Sequence, residues 1–188
     1  MKCNNPQELL DFMSSNINYG YLGKNGKVYR FGDKDFDKDW ENQYILQNEQ
    51  ELLENLCGNC FDQVEFERKW FLKHNYEIKT FFEIVKLNYK NVYPTHSFLI
   101  FKKDDKWCLF ENSDTDNRGI KEFNSIDELL KYQYSKYLML LEKYNITNEE
   151  KEKIELYEFD TVEEHSTSSE YLDHVLSSKK IDLWYNYK

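Results

Sequence analysis

The sequence predicts an α+β fold built on an antiparallel sheet, and two observations carry that expectation. Helix-start signals recur along the chain: Asn5 before Pro6, Asn48 with Glu51, and Ser125 with Glu128. Between the second and third of them stand the β-branched and aromatic runs YEIKTFFEIVKL, THSFLIFK and KWCLFEN, each of strand length.

In chain order, Asn5 as N-cap and Pro6 at the first helical position start a short helix through about Met13. YGYLGKNGKVYRF is a hairpin turning at Asn25-Gly26, the strongest short hairpin signal there is. Residues 32–46 are acidic and aromatic without a clear period and read as loop. Asn48 and Glu51 form a capping box for a helix over ELLENL, which Gly58 terminates. A second helix runs from about Cys60 to His74, and the three strand runs follow. SDTDNRGIKEF reads as a loop beside the end of the third strand. Ser125 and Glu128 form another capping box, opening a long helix through about Tyr144. Beyond Thr147 the pattern is a short helix, a strand near IELYEF and a helix from about Ser168 to Ser177. The tail from Thr161 is acidic and polar as far as Tyr171 and ends aromatic in IDLWYNYK; it packs over the sheet or offers a partner surface. With no internal repeat, linker or composition break, one domain over residues 1–188 is expected.

Composition narrows the function classes. The 13 Phe, 15 Tyr and 4 Trp supply ample apolar surface for a core. A net charge of −10, without a basic stripe, repels a phosphate backbone, so nucleic acid is not an expected partner. No stretch approaches the roughly 20 apolar residues of a membrane span, and MKCNNPQELLDF lacks the apolar core of a signal peptide. A cytoplasmic protein with reduced cysteines is the expectation, since Cys3, Cys57, Cys60 and Cys108 are too irregularly spaced for a disulfide framework.

Cys57 and Cys60 form a CxxC. Structural zinc would need two further ligands, and no second pair or His-x-x-x-His follows. A thioredoxin-type redox pair belongs after a first strand, whereas the segment before Cys57 reads as helix. The alternative is that Cys60 acts alone: Gly58 breaks the preceding helix, and a helix beginning at Cys60 directs unpaired amides and its dipole at the sulfur, favouring the thiolate. Against this stands the commoner case of a free cysteine as a small buried hydrophobe.

His96 opens a strand, where a lone histidine is more often structural than catalytic, but its relation to Glu111 raises its weight. SFLIFKKDDKWCLFE reads as a β-hairpin. A turn centred on Lys103-Asp104 pairs Phe101 with Lys106 and His96 with Glu111, on one face and with Cβ atoms about 5 Å apart. A turn centred on Asp104-Asp105 instead sets His96 opposite Ser113, and a one-residue slip separates the two side chains to opposite faces. The first register is preferred.

These residues resemble the transglutaminase-like superfamily, within the broader papain-like cysteine enzymes. The family pattern is a Gly-x-Cys at a helix start, a strand, a strand headed by His and a strand ending in Asp. Gly58-Asn59-Cys60 stands at the helix start here, His96 heads the second of the predicted strands, and Glu111 follows it by 15 residues with Trp107 four before the acid. The resemblance covers roughly residues 55–115, leaving about 125–188 as a C-terminal helical extension. CGNCFDQVEFER and PTHSFLIF are also similar to a subgroup of small bacterial transglutaminase-like proteins.

The resemblance implies a papain/transglutaminase-like core, with the Cys60 helix packed on an antiparallel sheet that carries His96 and the acid. Cys60 is then the thiol nucleophile, His96 its base and Glu111 the orienter, with a thioester intermediate and no cofactor. Glu in place of Asp adds a methylene; Asn112 is the alternative orienter, although alternation turns it to the other face. The Cys60 N–H is the first oxyanion donor, and Asn59, Gln63, Tyr44 and Trp40 are candidates for the second. No ligand-dense acidic loop suggests calcium. The expected substrate is a peptide, protein or small amide, with hydrolysis preferred over transfer to an amine. A non-catalytic peptide-binding module and a CxxC redox protein are the alternatives.

In the Cys60 helix, Phe61, Val64, Trp70 and Phe71 are expected core, and Asp62, Gln63, Glu65, Glu67 and Arg68 a solvated or partly paired face, with Gln63 a candidate substrate contact. Asp114 and Arg118 are candidate cleft residues, while His74, His165 and His174 have no metal-ligand spacing.

Overall fold

The structure, a computed structural model, describes residues 2–36, 38–85, 94–144 and 146–182. It is mixed α+β with antiparallel sheets. Lys86 and Leu87 of the first strand run, and most of the aromatic IDLWYNYK end, lie outside the described residues.

α1 (Pro6–Asn16) starts where Asn5 accepts the Glu8 N–H at 3.0 Å. β1 (Gly20–Gly23) and β2 (Val28–Arg30) form the first hairpin, with Gly26 at φ +76°, a left-handed conformation that glycine adopts without strain. The segment 32–46 is not all loop. It holds α2 (Trp40–Gln43) and β3 (Tyr44–Ile45), which pairs with β1. Elements of four and two residues are too short to show a period, and tertiary pairing makes them.

α3 (Glu49–Asn55) has both bonds of its capping box but ends on Leu56 in the left-handed region, two residues before Gly58. α4 (Cys60–Lys73), β4 (Ile78–Val85), β5 (Thr95–Lys103) and β6 (Lys106–Glu111) follow. β7 (Gly119–Phe123) was expected as loop; it is a half-buried strand pairing with β6, and its mixed GIKEF sequence lacks the β-branched run of its neighbours. α5 (Ile126–Glu142) has half of the expected box: Ser125 accepts the Glu128 N–H, but the Glu128 carboxylate takes the N–H of Asn124. α6 (Asn148–Lys151), β8 (Ile154–Phe159), α7 (Ser168–Leu176) and β9 (Lys179–Lys180) complete the described chain.

Among the described residues the small sheet has the order β2-β1-β3 and the large one β7-β6-β5-β4-β8-β9. The stretch after 125, expected as a largely helical extension with a strand near IELYEF, supplies that strand as β8 and β9 besides, and β8 pairs along β4 from Thr80↔Phe159 to Val85↔Ile154. Both faces of the large sheet are covered, which is why its strands read as continuous apolar runs. Phe82, Leu99, Phe101 and Phe110 pack with Phe61, Val64 and Phe71 of α4. Phe81, Phe98, Ile100 and Leu109 pack on the other face with Leu129, Tyr134, Tyr137 and Leu141 of α5.

Two expectations fail in ways that bear on the site. Asp62, Gln63, Glu65, Glu67 and Arg68 are all buried, because α4 is covered on its outer side as well. Most of their polar groups are answered internally: Arg68 pairs with Glu65 at 3.2 Å and donates to the Phe159 carbonyl, while Asp62 accepts from two backbone N–H groups. The β5–β6 register is also the other one. Lys103 opposes Lys106 and Leu99 opposes Phe110 across a two-residue turn at Asp104-Asp105, with Asp104 at φ +54°. Aspartate tolerates that left-handed position, so the turn centres one residue later than the preferred register placed it.

Candidate functional site

In this register His96 and Glu111 are diagonal neighbours on one face, not opposed ones. Diagonal Cβ atoms lie about 7–8 Å apart in an antiparallel pair, a span that long side chains bridge. Glutamate does so: Glu111 Oε2 lies 2.7 Å from His96 Nε2. Its other oxygen accepts from the Asp114 N–H at 2.8 Å and Ser113 Oγ at 3.1 Å, so three bonds fix the carboxylate. Asn112, the alternative orienter, turns to the opposite face and donates to Gln63 of α4 at 2.7 Å.

Burial opposes the charge on both partners, yet each holds the other ionised. The Glu111 carboxyl stays below its ordinary range: burial pushes it up, but the His96 charge and the three hydrogen bonds outweigh that. Burial pushes the His96 imidazole down, but the Glu111 charge, then hydrogen bonding from Cys60 and Glu111 and the Cys60 charge, raise it well above the histidine range.

Cys60 is the first residue of α4 and 6% exposed. Asn59 caps the helix, its Oδ1 accepting the Phe61 and Asp62 N–H groups at 2.9 and 3.2 Å, while Asp62 takes the Asn59 N–H at 3.0 Å. Gln63 Nε2 donates to the Gly58 carbonyl at 2.8 Å, and Asn112 holds the other end of that amide. The Gly58–Cys60 loop is thus tied to β6. Helix and strand run side by side: Phe61 stacks on Tyr171, whose hydroxyl bonds Ser97, and Phe71 meets Phe101 further along. Cys60 therefore stands at the margin of the sheet where His96 begins β5. Alternation starts His96 on the α5 side, and the Cys60 thiol is near enough to contribute to the raised His96 pKa. Nε2 is occupied by Glu111, so Nδ1 is the nitrogen left for the sulfur.

Cys57 does not share this setting. It is fully buried, with its Sγ 3.7 Å from the Tyr29 carbonyl oxygen, and burial pushes its thiol up to about 11. The four described cysteines are free thiols.

No protein-family model and no curated protein matches the chain. What the site can do is set by its own side chains. Among the described residues no cluster of three or more His, Cys, Asp or Glu is arranged to hold a metal ion, and no helix is long and apolar enough to cross a membrane.

Of the residues singled out from sequence, the structure joins His96 to Glu111 at 2.7 Å, sets Cys60 at the start of α4 within electrostatic reach of His96, and draws Asp114 to a cleft of about 250 Å³ at His96. Arg118 instead clamps backbone, donating to the Asn112 and Ser14 carbonyls. Gln63 and Tyr44 serve the α4 N-terminus, Tyr44 OH lying 3.3 Å from Asp62, and Trp40 packs on Tyr44. Two neighbours escaped the sequence reading. Glu83 on β4 directly opposes His96; fully buried and bonded by Gln133 of α5, its carboxyl is pushed up to about 8 by burial. Tyr19 lines the cleft with His96 and interacts with Cys60 through its hydroxyl. Its place depends on pairing with a segment almost 40 residues away, which no local pattern reveals.

Proposed function

We propose that this protein is a cysteine-dependent acyl-transfer enzyme with a papain/transglutaminase-like core in a single domain, acting on a peptide or other amide. The observation that carries the reading is the buried His96–Glu111 pair at 2.7 Å with Cys60 at a helix N-terminus beside it. Glu111 orients the ring and stabilises its positive charge. Nδ1 takes the Cys60 proton, and the sulfur attacks the carbonyl carbon. The imidazolium returns the proton to the leaving amine as the tetrahedral intermediate collapses to a thioester. Water or an amine, deprotonated by the same imidazole, then releases the acyl group. Hydrolysis is the preferred outcome because it needs only water as second substrate.

The burial of Cys57 counts against a CxxC redox pair, which requires both thiols to be accessible. One observation favours a second reading: Cys60 is itself only 6% exposed, as it would be in a non-catalytic peptide-binding module on the same fold. Alkylation by iodoacetamide across pH separates the three. An enzyme shows fast labelling at Cys60 that slows by about an order of magnitude or more in His96→Ala and persists in Cys57→Ser. An inert Cys60 supports the binding module. Loss of reactivity on changing Cys57 supports redox chemistry.

A further inference from the structure

We propose that the Tyr19 hydroxyl is the second oxyanion donor of the Cys60 site, a role that rests on the acyl-transfer reading. Backbone pairing fixes its position. The Asn18 N–H donates to the Leu56 carbonyl at 3.0 Å, the Gly58 N–H to Asn18 at 3.0 Å and the Gly20 N–H to Gly58 at 3.4 Å. Tyr19 is therefore strapped alongside the loop that delivers Cys60. Contact this close requires Gly20, where an added Cβ would fall 2.2 Å from the Tyr29 carbonyl oxygen and 2.4 Å from Cys57 Sγ.

The ring packs edge-on against Phe31 and is tilted on Phe36, with one side open to the cleft that His96 also lines. The residue as a whole is 37% exposed and lines the cleft with His96, beside the loop that leads into Cys60. Burial first, then the charge of Cys60, hold its hydroxyl well above the ordinary tyrosine range, so it remains an O–H donor at any working pH.

A hydroxyl that opens on the His96 cleft, alongside the loop that delivers Cys60, faces the place where the oxygen of an attacked carbonyl sits. When the sulfur bonds the carbonyl carbon, the C=O π pair moves onto oxygen, and that oxyanion meets the Tyr19 O–H and the Cys60 N–H. Asn59 caps Phe61 and Asp62 and leaves the Cys60 N–H to this use. Collapse re-forms C=O and expels the leaving group.

Two probes of the same sulfur test the assignment. Acylation by p-nitrophenyl acetate passes through an oxyanion and expels p-nitrophenolate; alkylation by iodoacetamide displaces iodide and forms none. Tyr19→Phe should slow the Cys60-dependent p-nitrophenolate burst about 10²-fold more than it slows alkylation. Phe31→Ala, which loosens the ring but keeps the hydroxyl, should leave that ratio unchanged. A ratio unmoved in Tyr19→Phe, or moved as far in Phe31→Ala, overturns the proposal while the acyl-transfer reading stands. A burst that is no larger in the unmodified protein than in Cys60→Ala removes both.

Discussion

His96 Nε2 is committed to a carboxylate that is itself held by two further donors, so the ring cannot turn without breaking a buried charge pair. Glu111→Gln keeps the shape and removes the charge. Because that charge is the largest influence favouring the imidazolium, the His96 titration should fall by about 1–3 pH units, followed through its ring proton by NMR. Iodoacetamide labelling of Cys60 should slow in parallel. An unmoved His96 titration would show that Glu111 serves packing alone. The composition of this pair was legible in the sequence, and its geometry was not. His96 and Glu111 share a face in both the preferred and the observed register, since a two-residue shift preserves alternation, and only the choice between Lys103-Asp104 and Asp104-Asp105 went astray. Glutamate at 111 is itself the local sign of the longer, diagonal span.

The start of α4 is the element on which the site depends, and its Asn59–Asp62 capping box is complete. Asn59→Ala should cost about 1 kcal/mol in urea unfolding and also slow Cys60 labelling, as the first turn frays. Gly20→Ala tests the strap from the other side. Its methyl would meet backbone and sulfur, and overpacking of that kind costs about 1–3 kcal/mol. Tyr19 should be displaced with it, so acylation should fall further than alkylation does. The N-caps of α1, α3 and α5 could be read from the chain because each is a contact over three residues. β3, β7 and β9 could not, since two to five residues become strand only through their partners. The buried charges of α4 escaped for a related reason: Arg68 answers a carbonyl 91 residues away in β8.

Across the whole molecule, burial has shifted carboxyls in one direction. Asp62 is pushed up to about 7 and Glu83 to about 8, and burial also raises Glu65 and Glu67. The unfolded chain releases these protons near pH 4–4.5 and the folded one later, Asp62 near 7 and Glu83 near 8, so stability falls as pH rises through that window. His96, raised as well, acts with the same sign: its contribution is complete below about pH 6.5 and is lost as pH climbs through its folded value. Glu111, lowered, acts oppositely, and only as pH drops below the ordinary carboxylate range. Urea midpoints should therefore be highest near pH 5 and decline toward pH 9. Glu83→Gln should flatten that decline by up to roughly 5 kcal/mol; an identical slope in the variant would rule out Glu83 as a source. The strand order carries a last implication, for the order in which the chain is made. Cys60, His96 and Glu111 are all synthesised before residue 112, yet β4, which braces His96, keeps one edge bare until β8 arrives, and Phe61 has no Tyr171 to stack on until α7 forms. A nascent chain on the ribosome thus holds Cys60, His96 and Glu111 in an unfinished sheet, and translation of β8 and α7 is what completes their surroundings.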